Sequence, residues 1–204
     1  MKLVELQYLP SPAYLALFND DVIIEQHENF EKQSYRNRCR ILTPNGIDQL
    51  TVPVKGGNSK QPIRDIRIDY TQKWVNRHSR AIQSAYGKAP FFEYYFEDFS
   101  RVFQKQHKFL FDLNLDMLTV CRENLQIGGE FVLSTTFKRK EEDDSNDLRS
   151  VIHPKRSYSE TYRYQPKSYY QLFGKAFVQD MSVLDVLFCE GPDARQIILS
   201  GLEE

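Results

Sequence analysis

The first twenty-four residues constrain the fold more than any other stretch. Leu3 to Leu9 reads as a buried strand, with apolar residues at 3, 4, 6 and 9. Pro10-Ser11-Pro12 stops it, and Ser11 is suited to cap a helix whose first turn accepts Pro12. A short helix through Tyr14, Leu15, Leu17 and Phe18 follows, and Asn19-Asp20 ends it. Val22-Ile23-Ile24 reads as a second strand. Strand, helix and strand in under thirty residues make a tight parallel β-α-β unit. Such a unit commits the chain to the α/β class. It also makes the loops after its strands the natural place for a ligand. Gln7 stands out there, because an amide inside an apolar strand must find a partner.

The remaining pattern is compatible with one domain over residues 1–204. Arg38 to Leu42 and Gln49 to Val54 flank Thr43-Pro44-Asn45-Gly46, and Asn-Gly is a hairpin turn signal because both residues tolerate positive φ. Ile63, Ile66 and Ile68 suggest a further strand. Trp74 to Tyr86 is helical by its i, i+3/i+4 spacing, Pro90 opens a helix over Phe91 to Phe103, and a third helix spans His107 to Asn124 before Gly128-Gly129. Phe131 to Ser134 reads as a buried strand. Lys138 to Arg149 has no core-forming pattern and is expected to be a mobile charged loop over residues 138–150. Met181 to Phe188 is a short helix with Asp180 or Ser182 as its N-cap. The expected architecture is α/β, with a mixed β-sheet, a helical middle segment and a short C-terminal helix.

The net charge of −1 hides an asymmetry. From Lys32 to Arg80 eleven cations face three anions, a surplus of +8, whereas residues 1–31 and 180–204 each carry −5. Segments of opposite sign can dock on one another. Clustered Arg and Lys also focus an attractive field for phosphate or carboxylate. A nucleic-acid partner is disfavoured by the pI of about 6.4 and by the lack of a recognisable binding motif. No run approaches the roughly 20 apolar residues of a membrane span. Glu5 and Gln7 interrupt the start of the chain, which therefore does not read as a signal peptide, and a cytoplasmic protein is expected. Cys39, Cys121 and Cys189 form neither a disulfide framework nor a metal knuckle.

Chemistry-bearing residues concentrate in two places. Lys32-Gln33-Ser34-Tyr35-Arg36-Asn37-Arg38 is the densest polar constellation, with arginine forks suited to phosphate or carboxylate and an amide that bonds in both directions. His78 sits beside Arg77 and Arg80, whose charge disfavours imidazolium and favours a neutral base. Cys39, flanked by Arg38 and Arg40, has either an activated thiol or, by strand alternation, an inert one. His27, His78, His107 and His153 show no metal-ligand pairing, so no metal is expected. P-loop, dinucleotide and nucleophile-elbow motifs are absent, and no cofactor is indicated.

Several segments together resemble a known family. Gln7-Tyr8-Leu9-Pro10-Ser11 with Ala13-Tyr14-Leu15, the Lys32–Arg38 segment, and Asn45-Gly46 with Leu50-Thr51-Val52-Pro53-Val54 are similar, in order, to motifs of the WbqC-like protein family. Trp74, His78, Ala85-Tyr86, Pro90 and Phe91-Phe92 continue the likeness, and Met181 to Phe188 with Gly191-Pro192 resembles its closing motif. The resemblance implies a role in modifying surface-polysaccharide or amino-sugar precursors, as in transfer of an acyl or aminoacyl group. On that reading Lys32, Arg36 and Arg38 bind the anionic part of a sugar precursor, and Gln7, Tyr8 and Asn37 orient it. His78 is the general base, with Asn37 beside it in the catalytic set. The alternative is a non-catalytic module for a glycan or an anionic metabolite, in which Tyr158, Tyr162, Tyr164, Tyr169 and Tyr170 supply stacking faces.

Overall fold

Three short strands form the parallel sheet that organises the chain. In a computed structural model, which describes residues 1–56, 60–141, 144–158 and 161–202, β1 (Lys2–Val4) and β2 (Val22–Ile24) pair in parallel. The crossover between them carries α1 (Pro12–Ala16) and one 3₁₀ turn, Leu17–Asn19. β2 pairs in turn with β5 (Phe131–Leu133), so the strand order is β1-β2-β5. The register aligns Val4, Ile24 and Leu133.

The first strand is shorter than its apolar pattern suggests. The ladder ends where Glu25 donates its N–H to the Val4 carbonyl, 2.8 Å. Residues 5–10 stay buried as irregular chain, and Leu9 takes φ 42°. Glu5 and Gln7 explain the change. Both are buried, and both need polar partners that a regular sheet position would not supply.

The hairpin is β3 (Arg38–Thr43) against β4 (Gly46–Thr51). Only Gly46 uses positive φ, 101°, while Thr43 Oγ1 donates to the Gly46 carbonyl at 2.8 Å. Pro44 and Asn45 thus make a turn closed by a left-handed glycine, not one with two left-handed residues. The strand expected at Ile63–Ile68 is instead a 3₁₀ turn, Ile63–Asp65, followed by isolated bridges at Arg67 and Ile68. Ile63 and Ile66 are three residues apart, which puts them on one face of such a turn, and both are fully buried.

The helical middle comprises α2 (Trp74–Tyr86), α3 (Phe92–Gln104) and α4 (Leu110–Leu125). α2 buries Trp74, His78, Ile82, Ala85 and Tyr86, a single stripe. Gln126, not a glycine, takes the left-handed position that ends α4, at φ 53°. Gly129 answers a different need. A Cβ there would overlap the Phe18 and Asp20 carbonyl oxygens as the chain enters β5.

α5 (Val183–Glu190), capped by Ser182, is buried from Val183 to Cys189. Its Phe188 ring meets Tyr86, Phe92 and Phe99 at centroid distances of 5.6, 5.2 and 6.1 Å. α6 (Ala194–Leu199) follows. The fold is α/β, with parallel strands in one sheet and an antiparallel pair in another, and no helix among the described residues is long and apolar enough to cross a membrane.

Candidate functional site

The parallel register brings Glu5, Glu25 and Ser134 out side by side, each one residue past a strand end. A ligand site is expected at this edge of an open α/β sheet. Here the edge is closed by charge. Ser134 Oγ donates to Glu25 Oε1 at 2.7 Å, and the His27 N–H donates to the same oxygen at 2.8 Å. Gln7 Nε2 donates to Glu5 Oε1 at 2.7 Å and to the Ile152 carbonyl at 3.2 Å. Gln7 Oε1 is buried without a partner.

Part of the polar run at 138–150 is built into this edge. The Leu3 N–H donates to the Asn146 carbonyl and Leu148 N–H to the Leu3 carbonyl, which lays residues 146–148 along the outer side of β1. Asp147, Leu148 and Arg149 are buried as a result. Arg149 pairs with Asp147 at 2.5 Å and approaches Glu25 at 3.7 Å. Residues 142–143 of the run lie outside the described residues.

Arg36 holds the centre of the cluster. Its Nε and NH2 grip the two oxygens of Glu28 at 2.6 and 2.7 Å, and NH1 reaches Glu31 Oε2 at 3.0 Å. NH2 also donates to Ser150 Oγ at 3.1 Å. Ser150 Oγ in turn donates to Glu31 Oε2 at 2.6 Å, and the Ser150 N–H donates to Glu5 Oε2 at 2.8 Å. His153 Nε2 lies 3.7 Å from Glu31 Oε1. Burial pushes the Glu28 carboxyl above its ordinary value despite Arg36, whereas Ser150 and Arg36 outweigh burial at Glu31 and hold its carboxyl lower. Burial also lowers His153, so its imidazole is neutral near pH 7. The two arginines supply countercharge that a metal ion would otherwise provide. No group of three or more His, Cys, Asp or Glu among the described residues is arranged to hold one.

The residues expected to form one site therefore fall into three places. Gln7 and Arg36 belong to the buried cluster. Tyr8 and His78 meet in the core, both with no exposed surface. The Tyr8 hydroxyl lies 2.9 Å from His78 Nδ1, and His78 Nε2 lies 3.2 Å from the Thr51 carbonyl. A carbonyl can only accept, so Nε2 carries the proton and Nδ1 accepts from Tyr8. Burial, then Arg77, lowers the His78 pKa to about 4. The ring is neutral chiefly through burial, with Arg77 adding to it, and both nitrogens are occupied inside the protein. Cys39 lies buried nearby with its thiol pushed up, the inert alternative.

Lys32, Asn37 and Arg38 do come together. With Phe30, Gln33, Val54 and Gly56 they line an open cleft of about 260 Å³. Asn37 Nδ2 donates to the Val52 carbonyl at 2.9 Å and receives no bond on Oδ1. Arg38 Nε is likewise buried without a partner. Among the described residues neither Lys32 nor Arg38 forms an ion pair. A second cleft, about 450 Å³, is lined by Lys140, Asp147, Ser150 and Arg156 among others, and its Ser150 bonds Glu31. Lys155 Nζ bonds Gln33 Oε1 of the smaller cleft.

The late tyrosines turn inward. Tyr158, Tyr162 and Tyr164 are buried, with Tyr158 bonded to Asp180 and Tyr164 to the Ile198 carbonyl. Tyr169 bonds Asp185, and only Tyr170 of the five is exposed. Pattern reading missed Glu5, Glu25, Glu28, Glu31 and Ser150, and it named His153 without a partner. The spacing of three between Glu25, Glu28 and Glu31, directly after a buried strand, is the signal that could have found three of them.

The profile of the WbqC-like protein family matches residues 7–162. The chain is also similar to "Uncharacterized protein Rv1507c" of Mycobacterium tuberculosis (strain ATCC 25618 / H37Rv), 34% identical over 124 residues. That alignment covers 58% of this chain and 53% of the relative, so the chain spans about half the relative's length. No solved structure matches. The family match takes in both the opening motif at Gln7 and the polar constellation whose residues build the cluster and the cleft, and the chain belongs to the WbqC-like protein family.

Proposed function

We propose that the chain is a transferase-type enzyme that modifies a sugar precursor, with the anionic part of that substrate held in the Lys32–Arg38 cleft. One observation carries the reading. Lys32 and Arg38 share an open cleft without a carboxylate partner among the described residues, while nearby Arg36 is fully spent on Glu28 and Glu31. Cations left unpaired beside polar wall groups are suited to bind phosphate or carboxylate. Gln33 and Asn37 border the anion. His78 and Tyr8 serve as a neutral, hydrogen-bonded pin beneath β4, and Gln7 and Arg36 shape the cluster behind the cleft. The family resemblance supplies the direction toward surface-polysaccharide or amino-sugar precursors. The glycan-binding alternative draws little support, because Tyr158, Tyr162 and Tyr164 offer no open stacking face.

Titration calorimetry with uridine diphosphate, alongside inorganic pyrophosphate, tests the anion site. Arg38→Gln should weaken binding roughly 10- to 100-fold, the worth of a charge-assisted hydrogen bond. Lys32→Gln should add to that loss, and affinity should fall as salt rises. Absence of heat with either anion, or full affinity in Arg38→Gln, overturns the reading. Mass-spectrometric detection of a modified nucleotide-activated amino sugar after addition of an acyl donor separates a transferase from a binding module.

A further inference from the structure

Ser150 is placed unlike any other serine among the described residues. Its backbone takes φ 59°, a left-handed conformation that side-chain-bearing residues rarely adopt. Its N–H is fixed by the buried Glu5 carboxylate at 2.8 Å. Its hydroxyl donates to Glu31 at 2.6 Å and accepts from Arg36 at 3.1 Å. It also lines the larger cleft, with Asp147 and Arg156. A strained backbone at a residue that lines a cleft is the kind of outlier from which a functional role is argued.

We propose that Ser150 is a nucleophile that carries the transferred acyl group, with Glu31 as its base. The proposal rests on the group-transfer reading above and locates the chemistry in the second cleft, where Ser150 meets Glu31. The parts of an activated nucleophile are present: a hydroxyl, a carboxylate within hydrogen-bond reach, and further groups that orient the carboxylate. Arg36 NH1 at 3.0 Å fixes the Glu31 carboxylate, and His153 Nε2 lies 3.7 Å from its other oxygen. It stays ionised at neutral pH because Ser150 and Arg36 hold its carboxyl lower than usual. Arg36 NH2 donates to Ser150 Oγ and stabilises the alkoxide character that builds there as its proton passes to Glu31.

The donor is an acyl thioester. Ser150 Oγ attacks the acyl carbon. The oxygen–carbon bond forms and the carbon–sulfur bond breaks, while the hydroxyl proton passes to Glu31 and then to the departing thiolate. In the second half the hydroxyl or amino group of the acceptor attacks the serine ester. The acceptor–carbon bond forms, the Oγ–carbon bond breaks, and the acceptor proton returns through Glu31 to Oγ. No group is oxidised or reduced.

A fluorophosphonate probe tests the nucleophile without knowledge of the substrate, since Oγ displaces fluoride from phosphorus. Mass spectrometry of the full chain should find one adduct, on the peptide containing Ser150. Ser150→Ala should abolish it, and Glu31→Gln should slow it about 100-fold, the scale of lost general-base help. Ser150→Gly is the folding control, because glycine accepts φ 59° without strain. It should keep a native thermal transition and remain unlabelled. An unlabelled wild type, equal labelling in Ser150→Gly, or a wild-type rate in Glu31→Gln overturns the proposal. Uridine diphosphate binding on the same samples keeps the two readings apart. Retained binding with no labelling removes only the serine, and labelling without binding removes only the anion cleft.

Discussion

Replacing Arg36 with methionine tests whether the charged cluster holds the fold. The guanidinium makes four bonds: two to Glu28, one to Glu31 and one to Ser150. Arg36 is 2% exposed and Glu28 5%, so water cannot replace what is lost. Removing one partner of such a pair costs about 3–5 kcal/mol, because the other charge is left buried. For a chain of this size that corresponds to a fall of roughly 6–20 °C in Tm. Urea unfolding followed by fluorescence of Trp74, the sole tryptophan and 3% exposed, reads the change directly. The pH dependence is specific. Burial already raises the Glu28 carboxyl, with Arg36 as the main opposing influence, so Arg36→Met raises it further. A carboxyl raised in the folded state favours folding below its unfolded pKa and loses that contribution as pH rises through the folded pKa. The deficit of the variant is therefore largest near neutral pH and narrows as pH falls toward about 5. Adding Glu28→Gln removes the stranded charge and should restore part of the loss. The reasoning fails if Arg36→Met costs less than about 1 kcal/mol at pH 7, the range of an ordinary surface pair, or if the double variant is no more stable than the single.

Three further outcomes follow from the same geometry. His78 is fully buried with its pKa lowered to about 4, so the unfolded chain takes up its proton first as pH falls below 6.5. Stability drops through that window, by about 2 kcal/mol at pH 5, and urea titrations of His78→Gln should lose this part of the pH dependence; an unchanged profile counts against the buried neutral ring. Tyr8→Phe removes the donor to His78 Nδ1 and should cost about 1–2 kcal/mol in urea unfolding, whereas an unaltered midpoint would mean that the bond contributes nothing. Gly129→Ala places a methyl group against the Phe18 and Asp20 carbonyl oxygens and should destabilise by at least about 1–3 kcal/mol; an unshifted thermal transition would refute the close approach.

Local pattern made the frame legible. The β-α-β unit, the hairpin and the buried stripe of α2 all follow from neighbours within a few residues. The errors have local causes as well. Glu5 and Gln7 ended β1 early because buried polar groups seek partners off the ladder, and Pro62 precedes a 3₁₀ turn where three isoleucines resembled a strand. The site was legible only in part. Adjacent residues on irregular chain point in different directions, so Gln7 enters the charged cluster while Tyr8 enters the core. Arg36 faces inward while Arg38 borders the cleft. In the sequence Glu25, Glu28 and Glu31 enter only as part of a −5 segment, without partners. Ser150 stands 119 residues beyond Glu31, and no local pattern reports that contact.

The charge surplus of the 32–80 segment takes on a different meaning once Arg36 is set apart. Arg36 is neutralised inside the protein and contributes nothing to an outward field. Lys32 and Arg38 remain, and they flank the wall that Arg36 stabilises from behind. That wall divides its side chains: Phe30, Lys32 and Gln33 border the smaller cleft, and Glu31 turns to Ser150 beside the larger one. The Arg36 bond to Glu31 fixes the one side chain of the wall that faces the serine. A change at Arg36 should thus disturb both clefts through the wall, while a change at Arg38 should disturb only the anion. Comparing fluorophosphonate labelling in Arg38→Gln and Arg36→Lys, at equal folded fraction, separates the two roles. Arg38→Gln should label at the wild-type rate. Arg36→Lys should label more slowly, because a lysine cannot reproduce the fork that holds Glu28, Glu31 and Ser150 at once.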